Sequence, residues 1–100
     1  MSQILVKFDE PIVGSGGARY FAQAEGRKRD DGLWEGWLEF IPVNDNDPPI
    51  PSGRETTQPN RPDLEYWAQG LTRVYLQGAL MRAQSPTQAI ERDRAERGGS

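Results

Sequence analysis

The side chains best suited to recognising a partner occur in two polar stretches, "EGWLE" at 35–39 and "RETTQ" at 54–58. Trp and Arg commonly supply most of the binding energy of an interface, so Trp37 and Arg54 are its predicted anchors. The candidate contact surface consists of Glu35, Trp37, Glu39, Arg54, Glu55, Thr56, Thr57 and Gln58. A structural role is the alternative. The polar side chains would then bond loop backbone, Arg54 would pair with Glu35 or Glu39, and a loop would cover Trp37.

Enzyme chemistry has few candidates in this chain. The sequence contains no His and no Cys, which removes the usual general base near neutral pH and the thiolate metal ligands. Glu35 and Glu39 lie four residues apart on a predicted strand, so roughly 13 Å separates their Cα atoms, which is wide for an acid–base pair. The "NDND" run at 44–47 lacks the Gly and the terminal Glu of a calcium-binding loop. We therefore expect no catalytic residues, no cofactor and no metal site, with a carboxylate-based enzyme as a remaining alternative.

The composition limits the classes of partner. A chain of 100 residues forms one small domain, and its net charge of −3 gives no overall basic field to attract nucleic acid or an anionic membrane. No apolar run approaches the ~20 residues of a membrane span. The first ten residues lack the basic-then-apolar order of a signal peptide. These features predict a cytoplasmic, soluble protein, and we expect a bacterial origin.

Alternating apolar residues predict about three antiparallel strands. The first carries Ile4, Val6 and Phe8 and extends to Ile12 and Val13 if the chain bends at Pro11. The second is "ARYFAQAEG" at 18–26, reached through a "GSGG" hairpin connection. The third is "LWEGWLEFIPV" at 33–43, which follows an Asp-Gly turn signal.

Period-2 spacing in the third strand predicts which face is buried. Trp34, Leu38 and Phe40 should be more buried than Glu35 and Glu39. Trp37 lies on the same side as the two glutamates, so we expect it on the face nearer to solvent. Gly36 should let a neighbouring backbone or ring approach closely.

A long proline-rich connection and a helix follow. Residues 44–60 have no hydrophobic periodicity and predict a long loop, in which Thr56 and Thr57 could add a short edge strand. Asn60 and Pro62 are typical of a helix start, and an apolar stripe continues to Ala83. We expect one main helix packed on one face of the sheet, with a break at Gly70 as the alternative. The predicted domain is 1–84, and 85–100 is expected to be a short charged helix or a flexible tail.

The sequence resembles two known families. The strings "WEGWLEF", "RETTQP" and "LEYWAQGLTRVYLQGAL" resemble a family of short bacterial proteins for which no activity is established, over about residues 18 to 83. A looser resemblance is to HicB-type antitoxins, and the order of five features carries it: Tyr20 with Ala22, Asp31-Gly32, Phe40 with Pro42, Gly53 with Thr56, and the helix from Pro62. The first resemblance transfers no functional residues, and the second implies a sheet-plus-helix fold.

Together these patterns predict an α+β fold and a non-catalytic protein-interaction or regulatory module. The partner would be a protein that the sequence does not identify. The sequence is also compatible with a homo-oligomer. An antitoxin or single-stranded nucleic-acid binder is the alternative, using aromatic side chains and the basic tip at Arg27–Arg29. The net charge disfavours that alternative.

Overall fold

The computed structural model describes residues 2–44 and 46–85, and the strands and helices named below belong to this part of the chain. Five antiparallel strands form one sheet: β1 (Gln3–Lys7), β2 (Ile12–Val13), β3 (Arg19–Lys28), β4 (Trp34–Pro42) and β5 (Ile50–Gln58). Two helices follow, α1 (Arg61–Gln69) and α2 (Arg73–Gln84). β1 and β2 both pair with β3, β4 pairs with the other side of β3, and β5 pairs with β4. Neither described helix is long and apolar enough to span a lipid bilayer.

The predicted sheet of about three strands with one main helix was wrong, because the described chain forms five strands and two helices. The α+β class holds. After an interruption at residues 8–11, Ile12 and Val13 form β2, which continues along the same edge of β3 as β1 by pairing with Tyr20 and Arg19, in agreement with the predicted continuation past a bend. The largest error is the predicted long loop, since nine of its residues form β5. β5 has no apolar alternation and contains Pro51, which is tolerated because β5 pairs with a neighbour on one side only.

The break at Gly70, which was the alternative to one continuous helix, is the observed arrangement. The Gly70 N–H donates to the Tyr66 carbonyl and ends α1. The Thr72 hydroxyl then accepts from the Tyr75 N–H at 3.2 Å and starts α2. At the start of α1, the Asn60 side chain accepts from the Asp63 N–H at 2.8 Å, as the cap pattern predicted.

Both predicted tight connections are present. A 3₁₀ turn at Ser15–Gly17 joins β2 to β3, and Gly16 and Gly17 both adopt positive φ. Gly32, also at positive φ, turns β3 into β4, and the Arg29 N–H donates to the Leu33 carbonyl at 2.7 Å. These positions favour glycine because a Cβ atom disfavours that backbone conformation.

Both helices pack on one face of the sheet and close a single core. Ala22, Ala24, Leu38 and Phe40 supply the sheet side of that core, and α2 contributes Leu76, Ala79 and Leu80. The predicted order of burial in β4 is confirmed for Leu38 and Phe40, which have no exposed surface, whereas Glu35 and Glu39 are half-buried. Trp34, at the start of the strand, is half-buried like the glutamates.

A cross-strand glycine pair sets how closely α1 approaches the sheet. Gly26 of β3 lies directly opposite Gly36 of β4. A Cβ atom at Gly36 would lie 2.8 Å from the Trp67 ring and 2.9 Å from Leu64, both on α1. The expectation that Gly36 lets a ring come close is therefore confirmed.

The predicted tail lies mostly outside the described residues. Ser85 follows α2 in a non-helical conformation, and its backbone N–H donates to the Arg82 carbonyl at 3.1 Å. The predicted helix or flexible segment over 86–100 therefore stays a prediction.

Candidate functional site

The open face is the face of the sheet opposite the helices, and four of its side chains form a row across four strands. Ile4 of β1 pairs with Glu25 of β3, Glu25 pairs with Trp37 of β4, and Trp37 pairs with Arg54 of β5. Directly opposed residues project to the same face, so the registers place these four side chains side by side. Phe21, on the same face, is 39% exposed, and Ile4 is 52% exposed. The row therefore combines a carboxylate, an aromatic ring and a cation with uncovered apolar surface.

Strand pairing divides the predicted polar run at 54–58 between the two faces. Arg54 and Thr57 lie opposite Trp37 and Glu35 on the open face. Thr56 lies opposite Gly36 on the helix side, and Gln58 donates to the Thr56 hydroxyl at 2.7 Å.

Glu55 also faces the helices. It lies in an irregularity of the β4–β5 pairing, and its carboxylate accepts from the Tyr75 hydroxyl and from Arg82 of α2. Burial and the Glu55 hydrogen bond raise the pKa of Tyr75. Glu55 therefore anchors α2 to the edge of the sheet, and its side chain is only 12% exposed.

Arg54 reaches the open face through this irregular pairing. The register shifts between Gly36 and Trp37, which leaves Glu55 without a direct partner and brings Arg54 opposite Trp37. A second shift lies between Trp37 and Glu39, where the Leu38 N–H donates to the Ser52 hydroxyl at 2.9 Å. Such bulges redirect side chains. The Arg54 guanidinium is exposed and forms no salt bridge or side-chain hydrogen bond to any residue of 2–44 or 46–85. The expected pairing with Glu35 or Glu39 is absent there, and Glu35 pairs with Arg27 at 2.8 Å.

Trp37 lies between two arginines. The Arg27 guanidinium carbon is 5.9 Å from the centre of the Trp37 ring, a distance at which a cation is attracted to the ring face. Arg54 lies on the other side, on β5. Together with Glu35, Pro51 and Ser52, these side chains line a shallow groove of about 310 Å³. Trp37 is half-buried, so part of its ring is available for contact.

A pair of carboxyl groups at the centre of the open face was missed by the sequence reasoning. Glu25 is only 7% exposed, and its carboxylate accepts from the Gln23 amide at 2.8 Å. A hydrogen bond with Glu25, then desolvation, then repulsion between the two carboxylates raise the pKa of Glu39 to about 7. Glu39 therefore stays largely protonated below that pH and can donate a hydrogen bond to Glu25. Alternation along β3 placed Glu25 and Gln23 on one face, but only the β3–β4 register shows that they neighbour Glu39.

A second concavity, of about 670 Å³, lies at the β3–β4 hairpin. Its lining residues are all charged: Arg27, Lys28, Arg29, Asp30, Asp31, Glu35 and Arg54. Two of the four cations are neutralised by neighbours, Arg27 by Glu35 and Arg29 by Asp31 at 3.0 Å. The basic tip is therefore largely paired within the hairpin.

Among residues 2–44 and 46–85, no group of three or more acidic residues is arranged to hold a metal ion. Comparison with known proteins returns no match: neither a protein-family model, nor a curated protein, nor a solved structure is significantly similar to the chain. The two resemblances described above therefore stay predictions.

Proposed function

We propose that this protein is a non-catalytic, cytoplasmic protein-interaction module whose contact surface is the open face around Trp37 and Arg54. The observation that carries the proposal is the position of Arg54 on the open face without an ion-pair partner in the described chain. A bulge directs it to the open face beside a half-buried Trp, and no described carboxylate neutralises it. Arg and Trp next to each other on an uncovered surface are the residue types that dominate interface energetics.

The remainder of the open face supports contact with a protein. Phe21 lies directly opposite Ile41, so the open face also carries an apolar pair, separated from the Trp37–Arg54 row by Gln23 and Glu39. Interfaces combine such apolar cores with a polar rim, and here Arg27, Glu35 and Thr57 supply the polar boundary. A carboxylate enzyme is supported less well, because the Glu25–Glu39 pair lies on a sheet face and neither residue lines the groove beside Trp37.

The test is quantitative affinity capture from the source cells with the full chain as bait, followed by binding measurements on the captured protein. We expect R54A to leave the unfolding midpoint nearly unchanged, because Arg54 is exposed and has no described ion pair. Its affinity should fall by a hot-spot amount, on the order of 2 kcal/mol. W37A should lower affinity similarly and lose some stability, since the Trp37 ring is half-buried.

Two matched controls lie away from the open face, on the helices. R73A removes an exposed arginine that pairs with Glu10, and Y66A removes an aromatic side chain that is 81% exposed. Neither should change the captured amount. Equal capture by all four variants would remove the open face from consideration as the contact surface.

Single-stranded nucleic acid is the second candidate, favoured by Lys28 and Arg54, the two cations of the hairpin concavity that have no ion pair within residues 2–44 and 46–85. Aromatic stacking on Trp37 and phosphate contacts from Arg54 would carry such binding. Its test is fluorescence anisotropy with labelled single-stranded DNA and RNA at low and moderate salt. Binding that weakens steeply with salt supports it, and no binding at low salt eliminates it.

A further inference from the structure

We propose that the partner of the open face is a second copy of this chain, with Arg54 of each protomer received by the Glu25–Glu39 carboxyl pair of the other. The inference rests on the proposed function, because it names the occupant of the same surface. It follows from two groups of opposite charge on one face of the molecule, neither of which has an ion-pair partner within residues 2–44 and 46–85.

The first feature is the cation. Arg54 is exposed and has no carboxylate partner within residues 2–44 and 46–85. The second is the acid pair, which likewise has no salt bridge in the described chain. Glu25 is covered and held by Gln23, while Glu39 is half-buried and presents the pair to solvent. Holding the buried Glu25 beside a second carboxyl group without a cation is costly, and an incoming guanidinium would offset that cost.

The arrangement is self-complementary about a two-fold axis. Along the row, Glu25 on β3 and Arg54 on β5 flank Trp37 on β4. If two open faces meet with the axis running along β4, β5 of each protomer lies over β3 of the other. Arg54 then falls over the acid pair twice by symmetry, and the two Trp37 rings meet at the centre. Such a contact is isologous, the form that closes a dimer without further growth.

The size of the open face fits a modest dimer. β4 has 9 residues, which gives a length of roughly 30 Å, and four strands spaced roughly 4.8 Å apart are roughly 19 Å wide. The open face therefore measures roughly 600 Å², at the lower end of the roughly 600–1,000 Å² per partner in specific interfaces. We expect association in the micromolar range rather than an obligate dimer.

The acid pair makes this association depend on pH. Pairing with Arg54 is strongest when Glu39 is ionised, whereas the pKa of Glu39 in the isolated protomer is about 7. At about pH 6 each protomer either releases the Glu39 proton or meets Arg54 with a less charged pair, which weakens the dimer by up to roughly tenfold per site. The other charged groups of this region are Lys7 on β1, Arg27 on β3 and Glu35 on β4, of which the last two pair with each other.

The test is a charge exchange, measured by sedimentation of the full chain from micromolar to hundreds of micromolar at about pH 8.5 and about pH 6. The wild type should dimerise at the higher pH and dissociate at least tenfold more readily at the lower. R54E and E39K should each be monomeric, because both create like-charge contacts. An equimolar mixture of R54E and E39K should form a heterodimer, in which the charges are again complementary. R73E, a control on the helix side, should dimerise like the wild type.

A wild type that stays monomeric throughout overturns the second copy as occupant, as does a dimer that persists in R54E. Monomers in the mixture of R54E and E39K also contradict the proposal. The proposed function fails differently, through affinity capture that is the same for R54A and W37A as for their controls. A monomeric wild type whose R54A variant loses a captured protein would leave the open face an interface for another partner.

Discussion

Replacing Glu39 by Gln should remove a loss of stability that the wild type suffers as pH rises. The hydrogen bond with Glu25, desolvation and carboxylate repulsion raise the pKa of Glu39 from 4.5 to about 7. The folded protein therefore keeps a proton over a pH range in which the unfolded chain has released it. Because the folded state binds more protons there, the free energy of unfolding falls as pH rises from about 5 to about 8. A Gln at this position would donate to Glu25 at every pH.

The magnitude follows from the shift. At about 1.36 kcal/mol per unit, a rise from 4.5 to about 7 corresponds to about 3 kcal/mol, of which about 2 kcal/mol separates pH 5.5 from pH 8.5. Glu39 is only half-buried, and solvent screens the pair. We therefore expect E39Q to gain about 1 kcal/mol relative to the wild type between these two pH values.

The assay is urea unfolding followed by Trp fluorescence at about pH 5.5 and about pH 8.5, at protein concentrations low enough that association does not contribute. E65Q is the control, because Glu65 lies on α1 and pairs with Arg61, away from the acid pair. The stability difference between E65Q and wild type should be similar at both pH values. An E39Q difference that is equally independent of pH would show that Glu39 titrates as an ordinary carboxyl, and the argument for a proton retained on Glu39 would fail.

Two further substitutions test the packing of the helices. G36A should lower the free energy of unfolding by about 1–3 kcal/mol, since its Cβ would lie 2.8 Å from the Trp67 ring. G70A is the control and should be nearly neutral, because the nearest atom to its Cβ would lie at 3.5 Å. Thermal melts measure both variants, and equal unfolding midpoints for G36A and G70A would refute the close-approach explanation. Y75F should cost about 1–2 kcal/mol, because Glu55, only 12% exposed, loses a donor. Urea unfolding measures the change, and an unchanged midpoint would mean that solvent replaces the hydroxyl.

Local patterns determined much of the scaffold. Alternation in "WEGWLEF" identified Leu38 and Phe40 as buried, because side chains of a strand project alternately to its two faces. The Asp31-Gly32 turn and the Asn60 cap were also predictable, since a positive φ and an unpaired helix N–H are needs that one or two neighbouring residues satisfy. The sequence predicted a break at Gly70 only as an alternative to one continuous helix. The break is the observed structure, because the Thr72 side chain caps the start of a second helix.

Only the tertiary structure decided the location and composition of the candidate site. β5 lacks apolar alternation and forms because the neighbouring strand β4 offers a free edge to pair with, so a proline-rich segment predicted as loop became the outer strand. Its bulge places Glu55 on the same face as Thr56 and brings Arg54 opposite Trp37 on the open face, whereas strict alternation from Thr56 would put Arg54 on the helix side. The meeting of Glu25 with Glu39 depends on the register of two strands joined by a hairpin. The sequence by itself thus supplied the residue types of the site, whereas non-local pairing chose which of them became neighbours, because register and bulges depend on contacts between segments.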